Sequence, residues 1–307
     1  MNFDVVGIGL CAWDRVLLLE RYPRLNEKTT AISSITSGGG PVPTALAAFA
    51  RLGGRACFVG VVGDDAEGKS VRDDLSAHGV DVSRMIIRKG RRTACAHIWV
   101  DEASAKRTVV LDAGNAPAIR RGELPRALLR DCQILLTDGR HPGIAIVAAK
   151  LCHQGGGQVV LDAGSPRADF EKLLAVTDHA VVSEDFAVGT FPKIGRQQIL
   201  SKIVGHGSKA AVITRGAKGG FWRDANRGGK YRAFSVQALD TTGAGDVFHG
   251  AYIYGLMMGW DMAQRCRFAS AAAALACRGL GGRASLPGLA EASQLAGYSP
   301  DKAKAKL

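Results

Sequence analysis

The run Leu239-Asp240-Thr241-Thr242-Gly243-Ala244-Gly245-Asp246 precedes a helix-like stretch from Ala251 to Gly259. Small residues just before a helix leave the amides of Gly243, Ala244 and Gly245 free to converge on an anion, and the positive end of the helix dipole strengthens their pull. Asp246 falls in the first helical turn. Two roles fit a carboxylate there. It can cap the helix by accepting those amides itself, or it can take the proton of an attacking hydroxyl while the amides stabilise a transferring phosphoryl group. Residue type and spacing leave both open.

Two other stretches match nucleotide-binding expressions and fail on their chemistry. Gly63-Asp-Asp-Ala-Glu-Gly-Lys69-Ser70 has the GxxxxGK[ST] form between a strand and a helix. A phosphate cradle needs bare amides and one lysine, yet Asp64, Asp65 and Glu67 would set negative charge beside the anion. Those acids suit a capped helix start, so Lys69 is expected not to touch phosphate. Gly7-Ile-Gly9-Leu-Cys-Ala12 fits G-x-G-x-x-G/A, but β-like Val16 to Leu19 and a Pro23 turn follow where a helix is required. A buried strand ending in a turn that aims Asp14 at a ligand is the better reading.

The elements that must position these residues follow from apolar periodicity. Strands are expected at Phe3 to Gly9, Cys57 to Val62, Ile134 to Thr137, Val159 to Asp162 and Ala210 to Thr214, with helices at Thr44 to Leu52, Gly68 to His78, Gly143 to His153 and Ile199 to Val204. That alternation implies an α/β fold of βαβ units on a mostly parallel sheet covered on both faces, regular from residue 123 onward. Short β-like runs at Val16 to Leu19, Thr29 to Ile35, Ala94 to Val100 and Arg107 to Leu111 have no helices between them and must pair as a separate small sheet. The expected division is a core of residues 1–14, 37–92 and 112–307, and a β lid of 15–36 and 93–111 over the carboxyl edge of the sheet.

Composition bounds the setting. The 307 residues are 47% hydrophobic and 22% charged, with 39 glycines, which suits a globular chain rich in tight turns. No apolar run reaches the length of a membrane span and the start lacks a signal-peptide pattern, so a cytoplasmic protein without membrane partners is expected. Seven scattered cysteines, with no zinc spacing, read as reduced buried thiols. A net charge of +12 would attract nucleic acid or a small anion. The densest basic cluster, Arg88 to Arg92, has no interleaved aromatics, and Lys302, Lys304 and Lys306 lie in an Ala-rich tail. Both are read as solvated surface and no nucleic acid is expected.

Asp240-Thr-Thr-Gly-Ala-Gly-Asp246 resembles the signature of the ribokinase-like (PfkB) carbohydrate kinases. Gly38-Gly-Gly-Pro-Val-Pro-Thr-Ala45 is similar to the glycine-rich sugar-side motif of that family, Gly60 to Gly68 to its second signature, and Thr214-Arg-Gly-Ala-Lys-Gly219 to its nucleotide-side strand and turn. The resemblance covers most of the chain. It implies a three-layer α/β/α core with a β lid, and in-line transfer of the γ-phosphoryl group of ATP to a sugar hydroxyl, usually a primary one, with Mg2+. Asp246 would be the base and Gly243, Ala244 and Gly245 the anion hole. Asp14, Gly38, Gly39 and Gly40 would hold sugar hydroxyls beneath a closing lid, and Ser183, Thr214, Gly216 and Gly219 would meet ATP. The positions matching a potassium site are Asp240, Thr242, Ala276, Gly279, Gly281 and Ser285.

One departure concerns the metal. Where many relatives carry N-x-x-E, this chain has Ser183-Glu184-Asp185-Phe186. Phe186 cannot act for the glutamate, which leaves Glu184 or Asp185 to hold magnesium through water. Ser183 to Ala187, Arg267 to Ser270 and Gly281 to Ala284 resemble sulfofructose kinases. Lys28 and Arg140 match positions that would meet a sulfonate, for which arginine offers a planar donor fork. The implied acceptor is a ketohexose such as 6-deoxy-6-sulfofructose, with ribose, fructose or a nucleoside as alternatives. A non-catalytic sugar-sensing or nucleic-acid-binding protein is the reading of another class. The small lid cannot bury its own outer face, so a homodimer through the lid is expected.

Overall fold

The computed structural model describes residues 3–166 and 170–298; the tail lysines at 302, 304 and 306 lie outside them. The chain opens with β1 (Val5–Ile8), β2 (Ala12–Leu19) and β3 (Ser33–Gly39), then α1 (Pro41–Arg51), β4 (Ala56–Val59), β5 (Val61–Gly63) and α2 (Ala66–Ala77). Next come β6 (Val80–Asp81), β7 (Ile86–Arg88), β8 (Cys95–Asp101), β9 (Arg107–Asp112), α3 (Arg126–Asp131), β10 (Ile134–Thr137), α4 (Pro142–Gln154) and β11 (Gln158–Ala163). After α5 (Phe170–Leu174) follow β12 (His179–Ser183), α6 (Glu184–Thr190), α7 (Arg196–Gly205), β13 (Ala210–Thr214), β14 (Gly220–Asp224) and β15 (Gly228–Tyr231). The last elements described are α8 (Ala244–Met257), α9 (Met262–Ala276) and α10 (Leu289–Ala296).

The central sheet runs β15-β14-β13-β12-β11-β10-β1-β4-β6 and is parallel from β13 to β6. Every residue of β1, β4 and β10 is buried, as expected of parallel strands covered on both faces. α1, α8, α9 and α10 cover one face, sharing a core with Val5, Leu136, Val160 and Val212, whereas α3, α4 and α7 cover the other. This is the α/β core the sequence implies. The second sheet, β3-β2-β8-β9, is built from the two helix-free excursions, with β2 and β8 parallel and the outer pairs antiparallel. Its inner face, with Val16, Leu18, Ala96, Ile98 and Val100, packs on Leu239 and Leu280 of the core.

Three expectations need correction. The run Cys57 to Val62 is two strands: the chain leaves the central sheet at Gly60, and β5 pairs with β7 instead. The regular alternation ends at Thr214, because a turn through Arg215 to Gly219, with Gly219 at φ 72°, reverses the chain into antiparallel β14 and β15, and three helices follow in succession. Asp14 lies inside β2 rather than on a turn, and β3 reaches Gly39 rather than ending at Ile35, because the register pairs Asp14 with Ser37 and Ala12 with Gly39. Among the described residues no helix is long and apolar enough to cross a membrane. All seven cysteines are free thiols.

Candidate active site

Gly243 is the N-cap of α8 and lies in the left-handed region, φ 75°, with no side chain capping the helix. Glycine is needed at 243 twice over, for that φ and because a Cβ would come 2.7 Å from the Gly282 Cα. The amides of Gly243 and Gly245 donate to none of the described carbonyls, while that of Ala244 makes one long bond, 3.3 Å, to the Thr241 carbonyl. Thr242 Oγ1 is buried in the same turn without a partner. Asp240, fully buried, holds the turn in place: it accepts from the Thr242 amide at 2.7 Å and from the Gly281 amide at 2.8 Å. The Leu239 and Asp240 amides both donate to the Cys277 carbonyl, at 2.8 and 3.2 Å, which makes the turn and the 276–285 loop one unit.

The Asp246 carboxylate accepts no hydrogen bond from the described residues, so the capping role is not realised. The residue is half-buried. Burial and the neighbouring Asp162 push that carboxyl well above the ordinary range; Arg107 and Arg283 oppose the shift and Asp14 adds to it.

Asp14 is 6% exposed and likewise accepts no described hydrogen bond. Its carboxylate fills the space beside Gly39, where a Cβ would meet both oxygens at 2.1 Å. Burial pushes this carboxyl up to about 7, with Arg283 opposing and Asp74 and Asp240 adding. Gly40, at φ 98°, is the N-cap of α1, and its Cα faces the Leu10 carbonyl. Asp14 therefore lies buried with its acceptor sites unfilled, and the half-buried Asp246 likewise has no described donor.

The nucleotide-side expectations land differently. Ser183 and Thr214 are register partners at the ends of β12 and β13, with Gly216 and Gly219 in the reversal just beyond. The Ser183 hydroxyl is already used: it accepts from the Phe186 amide and donates to the Gly164 carbonyl, each at 2.9 Å. Glu184 is held by Arg196 at 2.8 Å and Arg215 at 3.0 Å, Asp185 is exposed and Phe186 is buried in the core. Glu184 thus spends its charge on two arginines rather than facing an open site. Asp65 caps α2 through the Gly68 amide at 2.9 Å, and Lys69 pairs with Asp73. The P-loop-like stretch is a capped helix start.

Arg140 lines a cavity of about 450 Å³ with Cys11, Leu111, Asn115, Asp138 and His141, and its guanidinium has no acidic partner among the described residues. Lys28 is exposed in the β2–β3 connection and does not line that cavity. Of the potassium-type positions, the carbonyls of Asp240, Thr242, Ala276, Gly279 and Gly281 accept no described hydrogen bond, and Ser285 Oγ packs against Gly279. In the basic cluster Arg88 pairs with Glu123 and Arg92 with Asp112.

Sequence reasoning missed several charged neighbours of the site. Asp162, buried near the end of β11, lies 3.5 Å from His249 Nδ1; a polar residue closing an apolar parallel strand at the carboxyl edge of the sheet was its only signal. His249 also reaches the Gly245 carbonyl at 2.7 Å and the Val181 carbonyl at 3.1 Å. Arg107 of β9 approaches Thr241 Oγ1 at 3.5 Å, and Thr241 donates its amide and hydroxyl to the Ala105 carbonyl at 3.2 and 3.0 Å. The tip of the β8–β9 hairpin therefore rests on the loop that carries the anion turn. Nothing local in the sequence announces a contact between residues so far apart.

A model of the pfkB family of carbohydrate kinases matches residues 2–289. A ribokinase of Haemophilus influenzae is 26% identical over 296 residues, which is 94% of this chain and 96% of the relative. The crystal structure of a putative ribokinase from Agrobacterium tumefaciens superimposes with a TM-score of 0.90 at 26% identity, covering 96% of this chain and 98% of that one. A ribokinase of Arabidopsis thaliana complexed with ribose and ATP gives a TM-score of 0.82 at 25% identity, over 97% and 100% of the two chains.

Proposed function

Because this chain belongs to the pfkB family of carbohydrate kinases, we propose that it transfers the γ-phosphoryl group of ATP to a hydroxyl of a small sugar, with Asp246 as the base. The observation that carries the assignment is that Asp246 stands in the first turn of α8, beside the free amides of Gly243 and Gly245, and caps nothing. The sugar hydroxyl gives its proton to Asp246 as its oxygen attacks, and the turn amides stabilise charge on the transferring group. Asp14 accepts from other sugar hydroxyls, which supply the donors its buried carboxylate lacks. Bound Mg2+ would neutralise charge on the phosphates, and Asp162 and Asp246 are neighbouring carboxylates whose mutual repulsion such a cation would relieve. The unpartnered carbonyls of Asp240, Thr242, Ala276, Gly279 and Gly281 suit a monovalent cation such as K+, which would neutralise the unit that holds the anion turn.

Arg140, exposed, lining the cavity and without an acidic partner among the described residues, supports an acceptor with an anionic end, such as 6-deoxy-6-sulfofructose. Lys28 has no part in this reading as long as it stays outside the cavity. Ribose is the second reading, supported by the relatives named as ribokinases. ADP release with ribose, fructose and an anionic ketohexose, with and without K+, tests both. Turnover of none of them would remove the sugar kinase assignment, and equal use of ribose and the anionic sugar would remove the role of Arg140. The outer side of the lid exposes Trp99 on β8 and Val110 on the edge strand β9, at 36% and 56%, which supports a homodimer through the lid. Light scattering at micromolar concentration should give the mass of two chains, and a fully active monomer would count against it.

A further inference from the structure

Arg283 is a guanidinium almost sealed from water, with its side chain 1% exposed, in a loop that the sequence places far from the sugar-side motif. Each of its three nitrogens meets an acceptor on a different element. Nε donates to Thr44 Oγ1 on α1 at 3.2 Å, Nη1 to Asp74 Oδ2 on α2 at 2.5 Å, and Nη2 to the Gly39 carbonyl at the end of β3 at 3.1 Å. Only arginine presents donors in such a rigid fork; a lysine ammonium would reach at best part of the set. Glycine at 38 serves the same arrangement, because a Cβ there would lie 2.4 Å from Nη1 and 2.4 Å from the Asp74 carboxylate.

We propose that Arg283 is a positioning residue for the acceptor side of the site: its guanidinium fixes the Gly39 carbonyl and the Thr44 hydroxyl, and through them the backbone turn against which the Asp14 carboxylate rests. The proposal builds on the reading that Asp14 and this turn hold the sugar. It changes the meaning of Gly38, which packs on the Arg283–Asp74 pair instead of approaching a ligand. Burying a guanidinium is costly unless it is fully paired, and here each of its three nitrogens has a protein acceptor, so the clamp is a built feature that any loosening of the turn would undo. The charge also acts on both buried carboxylates, since Arg283 opposes the upward shifts of Asp14 and Asp246. A group that merely filled space would leave the turn and the acceptor indifferent to its loss.

Two measurements separate this role from a general structural one. The first is hydrogen exchange over residues 36–46 in the wild type, in Thr44→Val and in the double variant Arg283→Met/Asp74→Leu. The double variant removes both charges together and so avoids leaving either one buried alone. Exchange in that segment should quicken about tenfold in the double variant and less in Thr44→Val, with β10 to β13 unchanged. Unaltered exchange overturns the proposal whether or not the protein turns over a sugar. The second is a steady-state comparison with whichever acceptor the wild type phosphorylates. KM for the acceptor should rise about tenfold or more in Arg283→Lys and in the double variant, while KM for ATP stays within about threefold. Equal rises for both substrates would mean that Arg283 only supports the fold. A wild type inactive on every sugar would sink the kinase reading, while faster exchange would still support the clamp.

Discussion

Where β2 meets the glycine turn and α8 begins, the buried Asp14 and the half-buried Asp246 have no hydrogen-bond donor among the described residues; at the ends of β12 and β13, Glu184 is gripped by two guanidinium groups and Ser183 caps a helix. Asp246 neighbours Asp162 near the end of β11 and Glu184 follows β12, so both regions adjoin carboxyl ends of central strands, and both are rich in polar side chains. They differ in whether those side chains are used by the fold. A buried carboxylate without a partner costs stability, so its persistence marks a place where a ligand completes the hydrogen bonding. A carboxylate paired with two arginines has already discharged that duty. Proximity to the expected nucleotide side is therefore a poorer guide to chemistry than unfilled acceptor sites are.

The largest effect that tests this contrast is expected at Asp246. Asp246→Asn should lower kcat by about 10³-fold to 10⁴-fold while sparing folding and ATP affinity, because the amide keeps the shape but cannot take the proton. Near-normal kcat would place proton transfer elsewhere.

Asp14→Asn should raise KM for the sugar by about a hundredfold and, unlike most active-site changes, stabilise the unliganded protein. The sign follows from its raised proton affinity. The native protein holds the Asp14 proton more tightly than the unfolded chain, whose value is near 3.8, so stability is full below that value and is lost as pH rises to about 7. The asparagine variant has no such loss and should melt about 5 °C higher than the wild type at pH 8, with no difference near pH 4. In the wild type, KM for the sugar should climb as pH falls below about 7, because a protonated carboxyl accepts fewer hydroxyls. A lower melting temperature at pH 8 would mean that Asp14 has a partner in solution.

A smaller effect is expected at the cavity wall. If Arg140 meets an anionic end, the protein should prefer the anionic ketohexose to fructose by more than about tenfold in kcat/KM, in line with about 1.5–3 kcal/mol for a charge-assisted contact. Arg140→Met should erase that preference and leave fructose within about threefold. Equal losses on the two sugars would make Arg140 structural. The smallest change belongs to the nucleotide side, where Glu184→Gln should leave kcat and the Mg2+ dependence within about threefold, because that carboxylate serves Arg196 and Arg215. A shift of the Mg2+ requirement by tenfold or more would restore Glu184 as a metal residue and weaken the comparison itself.

The βαβ core, the helix-free excursions of the second sheet, the glycine turn before α8 and the family were legible in the residues alone, because each depends on residues adjacent in the chain. Apolar runs of strand length, glycines before a helix and a carboxylate in its first turn act through local geometry, which neighbouring residues set. Only the tertiary structure decided which polar groups are left unfilled. Asp246 was open to two roles until the helix proved to be capped by Gly243 alone, and Lys28 and Arg140, both exposed, parted company because only Arg140 lines the cavity. Arg283 reaches Thr44, Asp74 and Gly39 across separations of 239, 209 and 244 residues, a meeting that only the folded chain creates. The energy of a buried charge depends on distance, enclosure and the donors around it, and those are properties of the folded arrangement rather than of spacing along the chain.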